Sequence, residues 1–204
     1  VGISVRQFEQ MKNRVRGGAR PRSGNSGECS PVRSANPDGQ VILGVDPSLR
    51  GTGFGVIRPG RVQSVALAYG TIVCPKDWER SRCLLKIAET LRGLVMEHKP
   101  SVCVMEGLFF AQNLRTALIM GEARGAAMSA VAGGGLEIFE IAPRKVKQAV
   151  VGYGAAQKSA VAKMVQRMLN LAEIPEPDAA DALALALAHA QTSGRFGLSA
   201  PKRI

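Results

Sequence analysis

The stretch Val41-Ile-Leu-Gly-Val-Asp-Pro-Ser-Leu-Arg-Gly-Thr-Gly-Phe-Gly-Val-Ile-Arg58 reads as strand, turn, strand. Val41 to Val45 is a short apolar run of strand length, and Asp46-Pro47 ends it. Gly51, Gly53 and Gly55 belong by this reading to a hairpin turn, and a second strand runs from about Phe54 to Arg58. The glycines resemble a phosphate-binding loop, but no GxGxxG is present and no helix follows. A hairpin turn through which a nucleic-acid backbone could approach closely fits them better. Pro59-Gly60 is a turn signal, and Ser64 to Val73 forms a third strand. Three strands so close together predict an antiparallel meander.

Working outward, the period changes from two to 3.6. Leu84, Leu85, Ala88, Leu91, Val95 and Met96 recur at helical steps within Glu79 to His98, and Pro100 stops that helix. Ser101 to Met105 is a fourth strand that ends at Glu106. A helix from Leu114 to Ala132 is closed by Gly133-Gly134-Gly135, and Leu136 to Ile141 is a fifth strand. Pro143 opens a helix to Val151. Further helices span Ala155 to Leu171 and Asp178 to Ala190. A meander followed by βαβ units predicts an α/β domain over residues 41–190: a mixed five-stranded sheet flanked by helices.

The ends differ in composition. Residues 1–40 carry Arg6, Lys12, Arg14, Arg16, Arg20, Arg22 and Arg33 against Glu9, Glu28 and Asp38, with Gly, Pro and Ser throughout. They read as a flexible basic N-terminal extension, and residues 191–204, with Arg195, Lys202 and Arg203, as a flexible C-terminal tail. The 204 residues hold 27 Lys and Arg against 16 Asp and Glu, a formal charge of +11. That balance points to a polyanionic partner. No apolar run is long enough to cross a bilayer and no secretory pattern is visible. Cys29, Cys74, Cys83 and Cys103 match neither a CxxC pair nor a zinc pattern. Reduced thiols in a cytoplasmic protein are the expectation.

The acids carry the chemical signal. Asp46 and Glu106 each close an apolar strand, where an ionised group is partly desolvated and needs a reason. Strand ends are also where α/β sheets bind ligands. Asp178 and Asp181 stand at i and i+3 on one helical face, flanked by alanines that permit close packing. Taken singly, Asp178 reads equally as a helix N-cap and Asp46 as the start of a turn; nothing local demands Glu106. Together the four carboxylates would make an all-oxygen site suited to Mg²⁺ or Mn²⁺. Two such ions, about 3.5–4 Å apart, can activate a water and stabilise a leaving oxygen of a phosphodiester.

Between Glu140 and Glu173 there is no acid, only Arg144, Lys145, Lys147, Lys158, Lys163 and Arg167. A one-sided run of this kind suits phosphate contact. Phe109-Phe110 follows Glu106 in a strand-to-helix loop, where an exposed ring can stack on or wedge between bases. Trp78 and Tyr153 read as core packing and loop anchoring.

These residues bear a family likeness. Ile42-Leu-Gly-Val-Asp-Pro-Ser48 with Gly51-Thr-Gly-Phe-Gly-Val-Ile57, Glu106-Gly-Leu-Phe109, Ala111-Gln-Asn113, Gly121-Glu-Ala-Arg-Gly125, Ala142-Pro-Arg-Lys-Val-Lys-Gln-Ala-Val-Val-Gly152 and Asp178-Ala-Ala-Asp-Ala-Leu-Ala184 occur in order. With them the chain resembles the RuvC family of bacterial Holliday-junction endodeoxyribonucleases. The resemblance implies an RNase H-like fold and a homodimer that nicks opposing strands of a four-way DNA junction. It also implies two Mg²⁺ per subunit, with Mn²⁺ as a substitute, and 5′-phosphate and 3′-hydroxyl products. It implies as well a partnership with the RuvA–RuvB branch-migration complex. By motif position, Asp46, Glu106, Asp178 and Asp181 become the catalytic and metal-binding acids. Phe109 takes the place of a junction-core aromatic, and Lys147 and Lys158 those of DNA-handling lysines. Arg115 and Lys145 join them as candidate DNA contacts. The chain departs from the family pattern at Ser48, Gly107 and Leu108, and the 40-residue extension lies outside it. The other readings are an RNase H-like nuclease acting on RNA and a non-catalytic nucleic-acid-binding protein.

Overall fold

The computed structural model describes residues 39–107, 113–193 and 201–204. In chain order the elements are β1 (Ile42–Asp46), β2 (Gly51–Arg58), β3 (Val65–Val73), α1 (Arg80–His98), β4 (Val102–Glu106), α2 (Leu114–Gly133), β5 (Glu137–Ile141), α3 (Pro143–Val151), α4 (Lys158–Leu169), α5 (Pro177–Ser193) and β6 (Lys202–Arg203). The sheet order is β3-β2-β1-β4-β5-β6. β1, β2 and β3 form the antiparallel meander, while β4 lies parallel to β1 and β5 parallel to β4. The expected five strands become six. Lys202–Arg203 pairs antiparallel with β5, an edge contact too short to leave any period in the sequence.

Both faces of the sheet are covered, which is why β1 and β4 read as unbroken apolar runs. Side chains alternate along a strand. Leu43 and Val45 of β1 and Cys103 and Met105 of β4 therefore join α1 and α2 in one core. Ile42, Val102 and Val104 point the other way, into a second core with α3, α4 and α5. Cys74, Cys83 and Cys103 are buried free thiols; Cys29 lies outside the described residues.

The glycines of the opening stretch correct the turn reading. Gly51, Gly53 and Gly55 lie within β2, which begins three residues earlier than the period indicates. Asp46 pairs with Gly53 and Gly44 with Gly55. These glycines face α5. A Cβ on Gly44 would stand 2.0 Å from the Ala182 carbonyl oxygen, and one on Gly53 would stand 1.9 Å from that of Asp178. On Gly55 a Cβ would lie 2.7 Å from Leu183 Cδ2. The space they leave is filled by the helix backbone. Glycine on the strands and alanine on the helix (Ala179, Ala180, Ala182, all buried) let α5 sit almost against the sheet. The tight turn itself is Pro47 to Arg50. It is closed by the buried Thr52, whose Oγ1 donates to the Ser48 carbonyl at 2.6 Å and accepts from the Ser48 N–H at 3.2 Å.

Candidate active site

Alternation decides where the strand-end acids point. Asp46 shares the face of Ile42 and Gly44, and Glu106 that of Val102 and Val104, so both turn toward α5. β1 and β4 are parallel, and Asp46 and Glu106 follow their last paired rung, Val45 with Met105. Both acids thus leave the sheet at the same end. The N-terminus of α5 crosses there, carrying Asp178 and Asp181. Asp178 does not cap the helix: Pro177 is its first residue, and the Glu176 carbonyl accepts the first bond, from Ala180 N–H at 2.8 Å. Proline is favoured at that first position, which puts Asp178 one residue inside. Its Oδ2 reaches 2.7 Å from where a Cβ on Gly51 would be.

The two strand-end acids feel their neighbours. Burial pushes the Asp46 carboxyl up to about 6, with repulsion from Asp181 and Asp178 adding to it and Lys158 opposing it. Glu106 is pushed up to about 7, again chiefly by burial, then by Asp46 and Asp181, with Lys158 and Lys147 opposing. Among the described residues, no group of three or more His, Cys, Asp or Glu side chains is drawn together to ligating geometry. Instead Lys158, the first residue of α4, donates from Nζ to Asp181 Oδ2 at 2.6 Å. Its own pKa is raised by that bond and by the charges of Asp181, Asp46 and Glu106. One ammonium thus partly balances several carboxylates. Converging, desolvated, mutually repelling oxygen donors fit a hard divalent cation such as Mg²⁺ or Mn²⁺.

These shifts set a pH dependence. The ordinary values are 3.8 and 4.5, so between about pH 4 and 7 the ion-free fold holds more protons than the unfolded chain. The stability these two groups contribute therefore falls as pH rises through that window. A divalent cation held by these acids would offset the loss only where both are ionised. The Tm increase on adding Mg²⁺ is expected to be large at pH 8 and nearly absent at pH 5, as differential scanning fluorimetry would read it. At sub-saturating Mg²⁺, the doubly ionised fraction drops about tenfold from pH 7 to 6, and more steeply below.

The other sequence candidates are dispersed. Lys147, half-buried on α3, acts electrostatically on Glu106, whereas Lys145 is exposed on the same helix. Arg115 is exposed at the start of α2 and lines a cleft of about 750 Å³ that it shares with Asp46, Arg50, Trp78 and Arg80. Phe109 falls in residues 108–112, outside the described residues. Trp78 packs against the core, with the Arg82 guanidinium 3.8 Å above its ring. Tyr153 is exposed.

Two arginines were missed as site-shaping residues. Arg50 donates from Nη1 to the carbonyls of Pro75 and, at 3.1 Å, Trp78, fastening the turn after Asp46 to the segment before α1. Arg124 of α2, only 8% exposed, donates to the Glu106 carbonyl and to Glu140, each at 2.6 Å. A charged residue within an alanine-rich helix signals that it is unusual; its partners depend on the sheet.

The carboxylate ends of β1 and β4, the glycine seam and the acid-bearing start of α5 all fall within one matching segment. The family model for crossover junction endodeoxyribonuclease RuvC spans residues 42–189. The chain belongs to the RuvC family. It is 43% identical over 149 residues to the RuvC crossover junction endodeoxyribonuclease of Syntrophomonas wolfei, covering 72% of this chain and 87% of that one. It is 46% identical over 152 residues to the RuvC of Protochlamydia amoebophila, covering 74% and 90%. In three dimensions it is similar to T. thermophilus RuvC in complex with a Holliday junction substrate. There the TM-score is 0.73 at 31% identity, covering 80% of this chain and 99% of that one. The fold is accordingly the RNase H-like α/β fold that the resemblance implies, with one strand added to the expected five. No described helix is long and apolar enough to cross a membrane.

Proposed function

We propose that this chain is a structure-selective endonuclease that resolves four-way DNA junctions. It cuts as a homodimer with one site per subunit, and works alongside a RuvA–RuvB branch-migration complex. The observation that carries the reading is the convergence of Asp46 and Glu106, from parallel strand ends, on Asp178 and Asp181 of α5. RuvC family membership and the likeness to a junction-bound relative support the substrate.

Asp46, Glu106, Asp178 and Asp181 would hold two Mg²⁺, or Mn²⁺ in their place. Divalent cations held there supply Lewis-acid stabilisation of charge at a phosphodiester and lower the pKa of water. The protein's part is to keep Asp46 and Glu106 desolvated and to hold Asp178 and Asp181 beside them through the close seat of α5 on β1 and β2. Lys147 and Lys158 bring positive charge to the same spot, where a phosphate would sit. Phe109, Arg115 and Lys145 are assigned to the junction. Hydrolysis leaves 5′-phosphate and 3′-hydroxyl ends.

The direct test offers a synthetic four-way junction, a linear duplex and an RNA–DNA hybrid, each with Mg²⁺ and with EDTA. Paired symmetric nicks in the junction alone, only with Mg²⁺, are expected. Preferential cutting of the hybrid would overturn the substrate assignment.

The contact between Lys158 and Asp181 gives a second expectation. The ammonium competes with any cation for Asp181, and the pair is largely exposed on the lysine side. Lys158→Met should therefore tighten Mn²⁺ binding, by up to about fivefold given the worth of such pairs, while weakening junction binding. Calorimetry with Mn²⁺ and a junction gel-shift read the two effects separately; weaker Mn²⁺ binding would contradict the competition.

A further inference from the structure

We infer that Arg124 is a positioning residue for Glu106: it holds the backbone at the end of β4 so that the carboxylate faces Asp46 and α5. The inference rests on Glu106 being an ion ligand, as proposed above.

Glu106 is the last residue of its strand. An acid there needs its backbone fixed from two sides. One side is the sheet, where the Gly107 N–H donates to the Ile141 carbonyl at 2.9 Å. The other is Arg124. Its Nη1 donates to the Glu106 carbonyl oxygen and its Nη2 to Glu140 Oε1, both at 2.6 Å. Glu140 pairs with Met105, the residue before Glu106, in the β4–β5 register. The planar guanidinium thus bridges the ends of two neighbouring strands from a helix on the opposite face to α5. A rigid fork suits that task, since it aims two donors at once in fixed directions.

The charge of Arg124 is spent locally. Glu140 is its ion-pair partner, and what it touches of Glu106 is the backbone carbonyl. Arg124 therefore serves Glu106 through geometry rather than by stabilising its negative charge. The neighbouring ion pair between α1 and α2, Arg80 with Glu122, is more exposed. Outer partners of this kind orient metal ligands, and their loss typically costs about 10–100-fold in affinity or activity.

Arg124→Lys is the informative variant, because an ammonium keeps the attraction to Glu140 but lacks the fork. Expected are a fall in kcat of about tenfold or more, a similar weakening of Mn²⁺ binding by calorimetry, and a KM for the junction within about threefold of the parent. Arg124→Gln should do the same more strongly. Ala127→Gly, which removes one buried methyl from α2 and leaves the guanidinium fork in place, is the control for stability alone. It should lower Tm with kcat within about twofold of the parent. Unchanged kcat and Mn²⁺ affinity in Arg124→Lys would overturn the inference. So would losses no greater than those of Ala127→Gly at equal Tm. If the parent protein cut no junction at all, the substrate reading would fall, and Mn²⁺ affinity would still decide the role of Arg124.

Discussion

Asp46→Asn should abolish junction nicking, by about 10³-fold or more on the scale of removing one preorganised charge-stabilising group, while junction binding stays within a few-fold. The substitution keeps shape and volume and removes one negative charge. Asp46 is held largely out of water and is repelled by Asp181 and Asp178. Without an ion present, neutralising it relieves strain, so Tm in EDTA should hold or rise. The Mg²⁺-induced increase in Tm should largely disappear. The combination is diagnostic, since a folding defect would lower Tm and a DNA-contact defect would weaken binding. Full nicking by Asp46→Asn, measured with a labelled junction, would remove the basis for assigning the four acids to one centre.

Gly53→Ala should be nearly as damaging, by a different route. Its Cβ would meet the Asp178 carbonyl carbon at 2.5 Å and the oxygen at 1.9 Å. Both parties are backbone, one in a strand and one in a helix, so no side chain can swing aside. Either α5 lifts from the sheet or β2 slides against β1, and each displaces Asp178 from Asp46. Overpacking of this severity costs about 3 kcal/mol or more, and nicking should fall with it even in molecules that stay folded. Gly93→Ala is the counter-case: the glycine lies mid-helix in α1 with nothing within 4 Å of an added Cβ. It should stabilise the fold by about 0.5–1 kcal/mol. Urea denaturation separates the two, and a Gly53→Ala protein as stable as the parent would contradict the seam.

The strand-end acids were legible because burial on both faces leaves an uninterrupted apolar run, and an acid that terminates one stands out. The helical pair was legible from its three-residue spacing. The glycines of β2 were not, because a glycine's local signal is a turn. Their partner is a helix that begins more than 120 residues later, and only the packed structure shows that backbone occupies the space a side chain would need. Asp178 was open to reading as a cap because acids favour that position; the register was set one residue earlier by Pro177. Arg124 stood inside a motif, yet its role depends on two strand ends that no periodicity brings together. β6 is two residues long and exists only through the edge of β5.

The central claim is that Asp46, Glu106, Asp178 and Asp181 form one cation centre at the joined ends of β1, β4 and α5. It is tested most directly by anomalous diffraction from crystals of the protein soaked in Mn²⁺. The account predicts two peaks among these four carboxylates, about 3.5–4 Å apart, with the Lys158 ammonium moved off Asp181. Peaks elsewhere on the protein, or none between these side chains at saturating Mn²⁺, would contradict it.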